Sequence, residues 1–174
     1  MKLSKRLELL AYLVEKHKKG NILADIGTDH GYVPIYLVEK GICPKAYAMD
    51  INQGPIESAI KNIENYGLSE KIQAIKSNGL EKLEPEKADT IIIAGMGGEL
   101  IVNILENGLA KLENCSRPVK ELVLSPHKRG DLVRKYLEEH KWHITDEKML
   151  IDMNKFYTII KAEKGQESYP YSET

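Results

Sequence analysis

Cysteine is close to absent: the 174-residue chain carries two, Cys43 and Cys115, far apart and without CxxC spacing. A disulfide framework or a cysteine zinc site needs regularly spaced thiols, so neither is expected, and no metal is. Long apolar runs are missing too. None approaches the roughly 18 residues of a membrane span, and Met1-Lys2-Leu3-Ser4-Lys5-Arg6 opens a charged amphipathic stretch instead of the apolar core of a signal peptide. A cytoplasmic protein without membrane partners is the expectation. An excess of charge of one sign is also lacking, the formal net charge being -1. No global field then draws the chain to nucleic acid, and such binding would have to come from local basic patches. Internal repeats and low-complexity segments are absent, which excludes a repeat array.

What is present is the makeup of one folded domain, with 42% hydrophobic and 29% charged residues over a length that suits a single core. Leu3, Leu7, Leu10, Ala11 and Val14 recur at helical spacing, so residues 1–20 read as an amphipathic helix ending near Gly20. Strand-length apolar runs follow at 22–26, 46–49, 72–75, 90–94 and 122–124. Between them Pro34 and Pro55 sit where helices start, and Gly41, Gly67 and Gly108 where they stop. The stripes Ile56, Ala59, Ile60, Ile63 and Leu132, Val133, Tyr136, Leu137 suit packing on a sheet. Such alternation implies a parallel sheet with helices on both faces, because parallel neighbours need crossovers of that length. After residue 140 the rhythm changes, and strand-like runs at 148–152 and 156–162 flank Met153-Asn154-Lys155, a hairpin-length gap. The expected fold is α/β, a doubly wound, mostly parallel sheet with a C-terminal antiparallel hairpin. It occupies 21–162, and 163–174 reads as a frayed tail.

In a doubly wound sheet, ligands bind beyond the carboxyl ends of the strands. The loop after the first strand reads Asp25-Ile26-Gly27-Thr28-Asp29-His30-Gly31-Tyr32-Val33-Pro34, where Gly27 permits a tight turn and close approach of a ligand. A dinucleotide site wants G-x-G-x-x-G against the pyrophosphate, but Asp29 and Tyr32 hold the second and third glycine positions. A carboxylate at Asp29 repels pyrophosphate and attracts the amino group and sulfonium of S-adenosylmethionine. Two readings stand side by side: Asp25 and Asp29 attract a cationic cofactor, or Asp29 caps the next helix and Asp25 makes a structural hydrogen bond. The second strand ends in Asp50, where an acidic side chain can accept both hydroxyls of a ribose. Ile51-Asn52-Gln53-Gly54-Pro55 then turns from loop into helix. After the third strand, Ser77-Asn78-Gly79-Leu80 offers groups for an adenine edge, or a plain turn. After the fourth, Ala94-Gly95-Met96-Gly97-Gly98-Glu99 places three glycines where cofactor and substrate should meet. They serve either a tight turn or a backbone lying against a flat base and the reacting methyl.

Taken together, these segments resemble the bacterial TrmK family, tRNA (adenine-N1)-methyltransferases that modify adenosine 22 of tRNA. The resemblance is carried by Leu3-Ser4-Lys5-Arg6-Leu7, residues 24–34, Asn52-Gln53-Gly54-Pro55 and Ala94-Gly95-Met96-Gly97-Gly98, and it runs through residue 162. It implies a class I methyltransferase (Rossmann-like) fold, S-adenosyl-L-methionine as cofactor and tRNA as partner. It places Asp25, Gly27, Asp29, His30 and Gly31 around the methionine end, Asp50 at the ribose, Asn78 and Gly79 near adenine, and Gly95 to Gly97 at the substrate side. Asn52, Gly54, Pro55, Ala94 and Met96 complete the expected cofactor contacts. Members commonly have Asp before the third-strand glycine and Gln before the proline after the fifth strand, where Asn78 and Ser125 stand here. They usually continue into a C-terminal helical domain that helps hold tRNA, and 163–174 is expected to be its start.

Adenine N1 carries a free lone pair, so no base need first remove a proton. The protein's tasks are positioning and a field that tolerates the cation formed on the base. Asp29 is the candidate for that field. His30 either shuttles a proton or touches the base, or is a hydrogen-bonded structural residue. Exocyclic amine methylation is disfavoured, because the Asn/Asp-Pro-Pro-Tyr/Phe motif it uses is replaced by Ala94-Gly95-Met96-Gly97. Neither cysteine lies in a strand-end loop where carbon methylation would need a nucleophile. Two basic clusters are candidates for gripping phosphate around an exposed base. One holds Lys2, Lys5, Arg6, Lys16, Lys18 and Lys19, the other His127-Lys128-Arg129 with Arg134 and Lys135. Lys5, Arg6, Lys128 and Arg129 are the expected tRNA contacts. The competing readings are a small-molecule methyltransferase and a non-catalytic module that binds S-adenosylmethionine or RNA.

Overall fold

The computed structural model describes residues 1–15 and 21–164. Lys16, Lys18, Lys19, the expected helix end at Gly20 and the tail from 165 onward lie outside the described residues. The first half runs α1 (Lys5–Glu15), β1 (Leu23–Ile26), α2 (Tyr32–Glu39), β2 (Ala46–Asp50), α3 (Gln53–Asn65) and β3 (Ile72–Lys76). The second runs β4 (Thr90–Met96), α4 (Gly98–Gly108), α5 (Ala110–Glu113), β5 (Glu121–Pro126), α6 (Gly130–Glu139), β6 (His143–Asp152) and β7 (Lys155–Glu163). One sheet takes the order β3-β2-β1-β4-β5-β7-β6. The pairs among β1 to β5 are all parallel, and β7 is antiparallel to both β5 and β6.

Each strand expected from an apolar run is present, and the differences lie at the ends. β6 begins five residues before the expected run, where exposed and half-buried side chains alternate along a strand with no apolar stretch to mark it. The hairpin turn is two residues long, not three. Met153 and Asn154 both adopt left-handed backbone, φ 49° and 62°, a pairing whose twist matches that of the flanking strands. Lys155, expected in the gap, pairs with Asp152 in the ladder. Gly108 also differs in its reason: a Cβ there would stand 2.5 Å from Leu80 Cβ, so close packing requires the glycine.

Alternation along the strands divides the core between two faces. Ala24, Ile26, Ile91, Ile93, Leu122, Leu124 and Ile160 pack against α4, α5 and α6 through Ile101, Leu105, Leu112, Val133 and Leu137. Leu23, Ala46, Ala48, Ile92, Val123 and Ile159 pack the other way, against α1, α2 and α3. Here α1 shares the main core, since Leu10, Leu13 and Val14 are fully buried. It is also fastened by charge. Lys161 on β7 is completely buried, donates to the Leu13 carbonyl at 2.7 Å and stands 3.6 Å from the equally buried Glu121 on β5.

Removing one member of a buried ion pair leaves the other's desolvation poorly compensated. Lys161→Ala is therefore expected to cost about 3–5 kcal/mol of unfolding free energy, read from the urea midpoint at constant slope. Adding Glu121→Gln should recover part of that loss. A single variant as stable as wild type would show that apolar packing alone seats α1.

Candidate active site

The parallel pairing of β1 sets Ile26 level with Met49 on β2 and Ile93 on β4. Three loops therefore leave the carboxyl edge side by side. The strand order reverses there, and the helices before and after the reversal cover opposite faces, which opens a crevice between them. After β1, Gly27 takes φ 77°, and the N–H groups of Gly27 and Thr28 both donate to the Met49 carbonyl. That left-handed backbone is what favours glycine at 27, and the Met96 side chain at the end of β4 reaches over it, its Cε 2.6 Å from where a Cβ would be.

Asp29 does not cap α2. The N-cap is Gly31, no side chain bonds there, and Asp29 itself is held at φ 57°. Its N–H donates to Asp50 Oδ2 at 3.2 Å, while its exposed carboxylate lies 3.6 Å from His30 Nε2. His30 is tied to α3: Nδ1 lies 2.7 Å from Ser58 Oγ, and its carbonyl accepts from Asn62 Nδ2 at 2.9 Å. The structural reading of His30 is thus realised for one ring nitrogen, and Nε2 stays at the mouth beside Asp29. Asp50 is buried and accepts from Asp29 through one oxygen and from the Asn52 N–H through the other, at 3.0 Å. Each oxygen keeps a lone pair for a further donor. Gln53, Gly54 and Pro55 form the first turn of α3, with Asn52 at its N-cap.

A cavity of about 90 Å³ opens between α1, the β1 turn, α2 and β4, with Arg6, Asp25, Gly27, Asp29, His30 and Ala94 in its lining. Arg6, expected among the contacts to tRNA, turns into this cavity. Its guanidinium sits over the Tyr157 ring, 5.0 Å from the centroid, and Nη1 lies 3.8 Å from where a Gly95 Cβ would be. The signal was available: Arg6 stands three residues after Leu3 and four before Leu10, hence on the buried face of α1. Asp25 accepts a hydrogen bond from Thr28 Oγ1 at 2.9 Å. Burial pushes its carboxyl up to about 7; the Thr28 bond and the nearby Arg6 charge oppose this, and Asp50 adds to it.

The three glycines at 95, 97 and 98, the first of them inside β4, have different causes. A Cβ on Gly98 would come within 2.0 Å of the Arg129 carbonyl oxygen, and one on Gly97 within 3.0 Å of Lys128 Cε. Both make room for residues 127–129, which are tied down by His127 N–H to the Met96 carbonyl and Gly98 N–H to the Lys128 carbonyl. Gly95 is the one beside Arg6, at φ 76° in a bulge between Ala94 and Met96. After β3, Asn78 and Gly79 line a hollow of about 220 Å³ with Asn103, Ile104 and Asn107 of α4. A larger hollow of about 380 Å³ lies at the amino ends of β2 and β3, away from this edge. Among the expected basic contacts, Arg129 is held by Asp131 and Glu99, while Lys5 is exposed on α1. Lys128 makes no ion pair among the described residues. No cluster that could hold a metal ion, and no helix long and apolar enough to cross a membrane, occurs among the described residues.

The arrangement can hold a positively charged group against Asp25 and Asp29, a vicinal diol against Asp50 and an anion against Arg6. Without such a ligand the Asp25 charge is a burden. Its folded-state pKa is raised, so between about pH 4 and 7 the folded protein keeps a proton that the unfolded chain has lost, and stability falls as pH rises through that window. The fall should be roughly 4 kcal/mol. Thermal unfolding of the ligand-free protein should show it, and Asp25→Asn should flatten it. A wild-type profile as flat as that of the variant would remove the burial argument.

A family model described as "Methyltransferase domain" matches residues 3–160. The chain is 37% identical over 171 residues to the tRNA (adenine(22)-N(1))-methyltransferase of Bacillus subtilis, covering 98% of this chain and 69% of that protein. It superposes with TM-score 0.88 and 45% identity on a Streptococcus pneumoniae protein solved with S-adenosyl-L-methionine, covering 98% of this chain and 77% of that one. M. capricolum TrmK, solved with S-adenosyl-homocysteine, gives TM-score 0.84 and 33% identity over 98% of this chain and 73% of its own. With the loops after β1, β2 and β4 meeting at one edge of a sheet of this order, the chain belongs to the methyltransferase-domain family and, within it, to the TrmK family of tRNA (adenine(22)-N(1))-methyltransferases.

Proposed function

We propose that this protein methylates N1 of adenosine 22 in tRNA, using S-adenosyl-L-methionine, in the cytoplasm. The observation that carries the reading is the meeting of Asp25, Asp50 and Arg6 at one switch point. A buried carboxyl, a second carboxylate with lone pairs to spare and an inward-turned guanidinium match the ammonium, ribose and carboxylate of that cofactor. The cofactor, when bound, supplies an electrophilic methyl group on a sulfonium. Asp25 and Asp29 hold its positive end, with Gly27 and Gly31 letting the backbone come close. Asp50 takes the ribose, and Arg6 the carboxylate. Asn52, Gly54 and Pro55 shape the wall beside the ribose, and Asn78 and Gly79 receive the adenine edge. Ala94, Gly95, Met96 and Gly97 form the floor on which the target base lies.

N1 of adenine has its own lone pair, so the side chains need only orient the base and tolerate its positive charge after transfer. Asp29 and His30 stand at the mouth to do this, Asp29 through its field and His30 through Nε2. Lys5, Lys128 and Arg129 meet phosphate outside. The working unit is α1 together with the sheet domain on which it packs, from β1 through β7.

The direct test is incubation with labelled S-adenosylmethionine and unmodified tRNA, followed by nucleoside analysis. N1-methyladenosine, lost when adenosine 22 is replaced by guanosine, is the expected result. Transfer to small metabolites but not to tRNA would make the protein a small-molecule methyltransferase, and binding without transfer a non-catalytic module. By calorimetry, Asp50→Ala and Arg6→Ala should each weaken cofactor binding by about 1.5–3 kcal/mol, roughly ten- to hundredfold. An unchanged affinity in either variant would remove that residue from the site.

A further inference from the structure

The β6–β7 hairpin carries apolar side chains that the fold does not use. Ile151 pairs with Phe156 and Met149 with Thr158, so these four residues share one face. Leu150 and Tyr157 share the other, where Leu150 joins the core beside α1 and Tyr157 carries Arg6. On the first face Met149 is 71% exposed, Ile151 58% and Phe156 71%, with Met153 at the turn 88% exposed. Phe156 is the one phenylalanine of the chain. A contiguous apolar patch of this kind on a strand pair marks a contact surface.

Its position is informative. β7 pairs with β5 through Leu124 level with Ile160, which in register puts Pro126 level with Thr158. Residues 155–157 therefore rise past the carboxyl end of β5, by about 10 Å at strand spacing. The loop 127–129 leaves from that same end and is bonded to the turn after β4. Phe156 thus stands beyond the carboxyl end of β5, the edge from which the loops of the site leave, on the hairpin face opposite Tyr157. The surrounding charge is mixed: Arg134 pairs with Glu147, Lys148 with Asp146 and Arg129 with Asp131. Lys128, in the loop after β5, and Lys155, at the hairpin turn, make no ion pair among the described residues, and both lie at this same end of the sheet.

We propose that Phe156, backed by Met149 and Ile151, is a stacking platform for an unpaired nucleotide beside the target adenine of tRNA, with Lys128 and Lys155 meeting its phosphates. The inference rests on tRNA being the substrate. Turning a base into an active site strips its neighbour of a stacking partner, and a flat aromatic surface replaces that contact whatever the neighbour's identity. Unpaired cations at the same end of the sheet as an exposed apolar face suit a polyanion whose bases are splayed out, and suit a second copy of this nearly neutral chain less well.

The test uses the full chain, unmodified tRNA and S-adenosylmethionine, with tRNA binding by fluorescence anisotropy, transfer kinetics and sedimentation read together. Phe156→Ala should weaken tRNA binding and raise the KM for tRNA about five- to fiftyfold, with cofactor affinity unmoved. Phe156→Leu should behave like the alanine variant because it lacks a π face, and Phe156→Tyr should behave like wild type. Melting curves should not move, since the side chain is mostly exposed. Wild-type affinity in the alanine variant, or full rescue by leucine, would overturn the stacking role, as would a dimer that Phe156→Ala dissolves without affecting tRNA. Should wild type bind tRNA through Phe156 but transfer nothing to it, the catalytic reading fails and the platform stands. If wild type binds no tRNA, both fail.

Discussion

The parallel pairing of β1 with β2 on one side and β4 on the other delivers three loops to one edge of the sheet, and the rest of the site depends on it. Asp25, Asp50 and Gly95 lie far apart in sequence and share no local structure. They meet because Ile26 stands level with Met49 and Ile93, so that each strand releases its loop at the same height. The hydrogen bonds that follow lock the loops to one another. Gly27 and Thr28 donate to Met49, and Asp50 accepts from Asp29 and Asn52. A shift of one residue in β2 would turn Asp50 to the other face of the sheet and empty the site of its second carboxylate.

The electrostatics of this edge are unbalanced in the protein alone. Asp25 is buried with its carboxyl pushed up to about 7, and Asp50 lies close enough to add to the effect. Such an arrangement costs stability and is retained where a ligand completes it. A cation entering between Asp25 and Asp29 would favour the ionised carboxylate, so occupancy of the site and ionisation of Asp25 are linked. Arg6 is the counterweight, held over Tyr157 and facing the same cavity.

Arg6 reaches that position because α1 is seated on the sheet by Leu10, Leu13 and Val14 and by the buried Lys161. The helix is remote in sequence from everything it touches there; the hydrogen bond from Lys161 to Leu13 spans 148 positions. The hairpin is organised from the same strand. β7 presents Lys161 and Ile159 to α1 and Tyr157 to Arg6, and turns Ile160 and Phe156 to the opposite face. A single strand thus seats the N-terminal helix, supports Arg6 at the cavity and carries the exposed apolar face of the hairpin.

Much of this was legible in the residues themselves. Strand-length apolar runs ending in Gly or polar residues marked the five parallel strands, because burial on both faces leaves little room for polar residues. The charge at Asp29 separated this loop from a phosphate-binding one, because a carboxylate repels pyrophosphate wherever the loop lies. The spacing of Arg6 from Leu3 and Leu10 marked its face of α1, but its seat over Tyr157, the roles of Gly97 and Gly98 and the failure of Asp29 to cap α2 were not legible. Each depends on which backbone passes nearby: the carbonyl of Arg129 beside Gly98, the ring of Tyr157 beneath Arg6, the left-handed φ of Asp29. Periodicity and local charge act within a few residues of chain and can be read along it, so the sequence by itself determined the elements and the sign of the site. Which glycine makes room for a neighbouring loop, and which arginine faces the cavity, were decided by the tertiary structure, because contacts between distant segments exist only once the sheet has set their register.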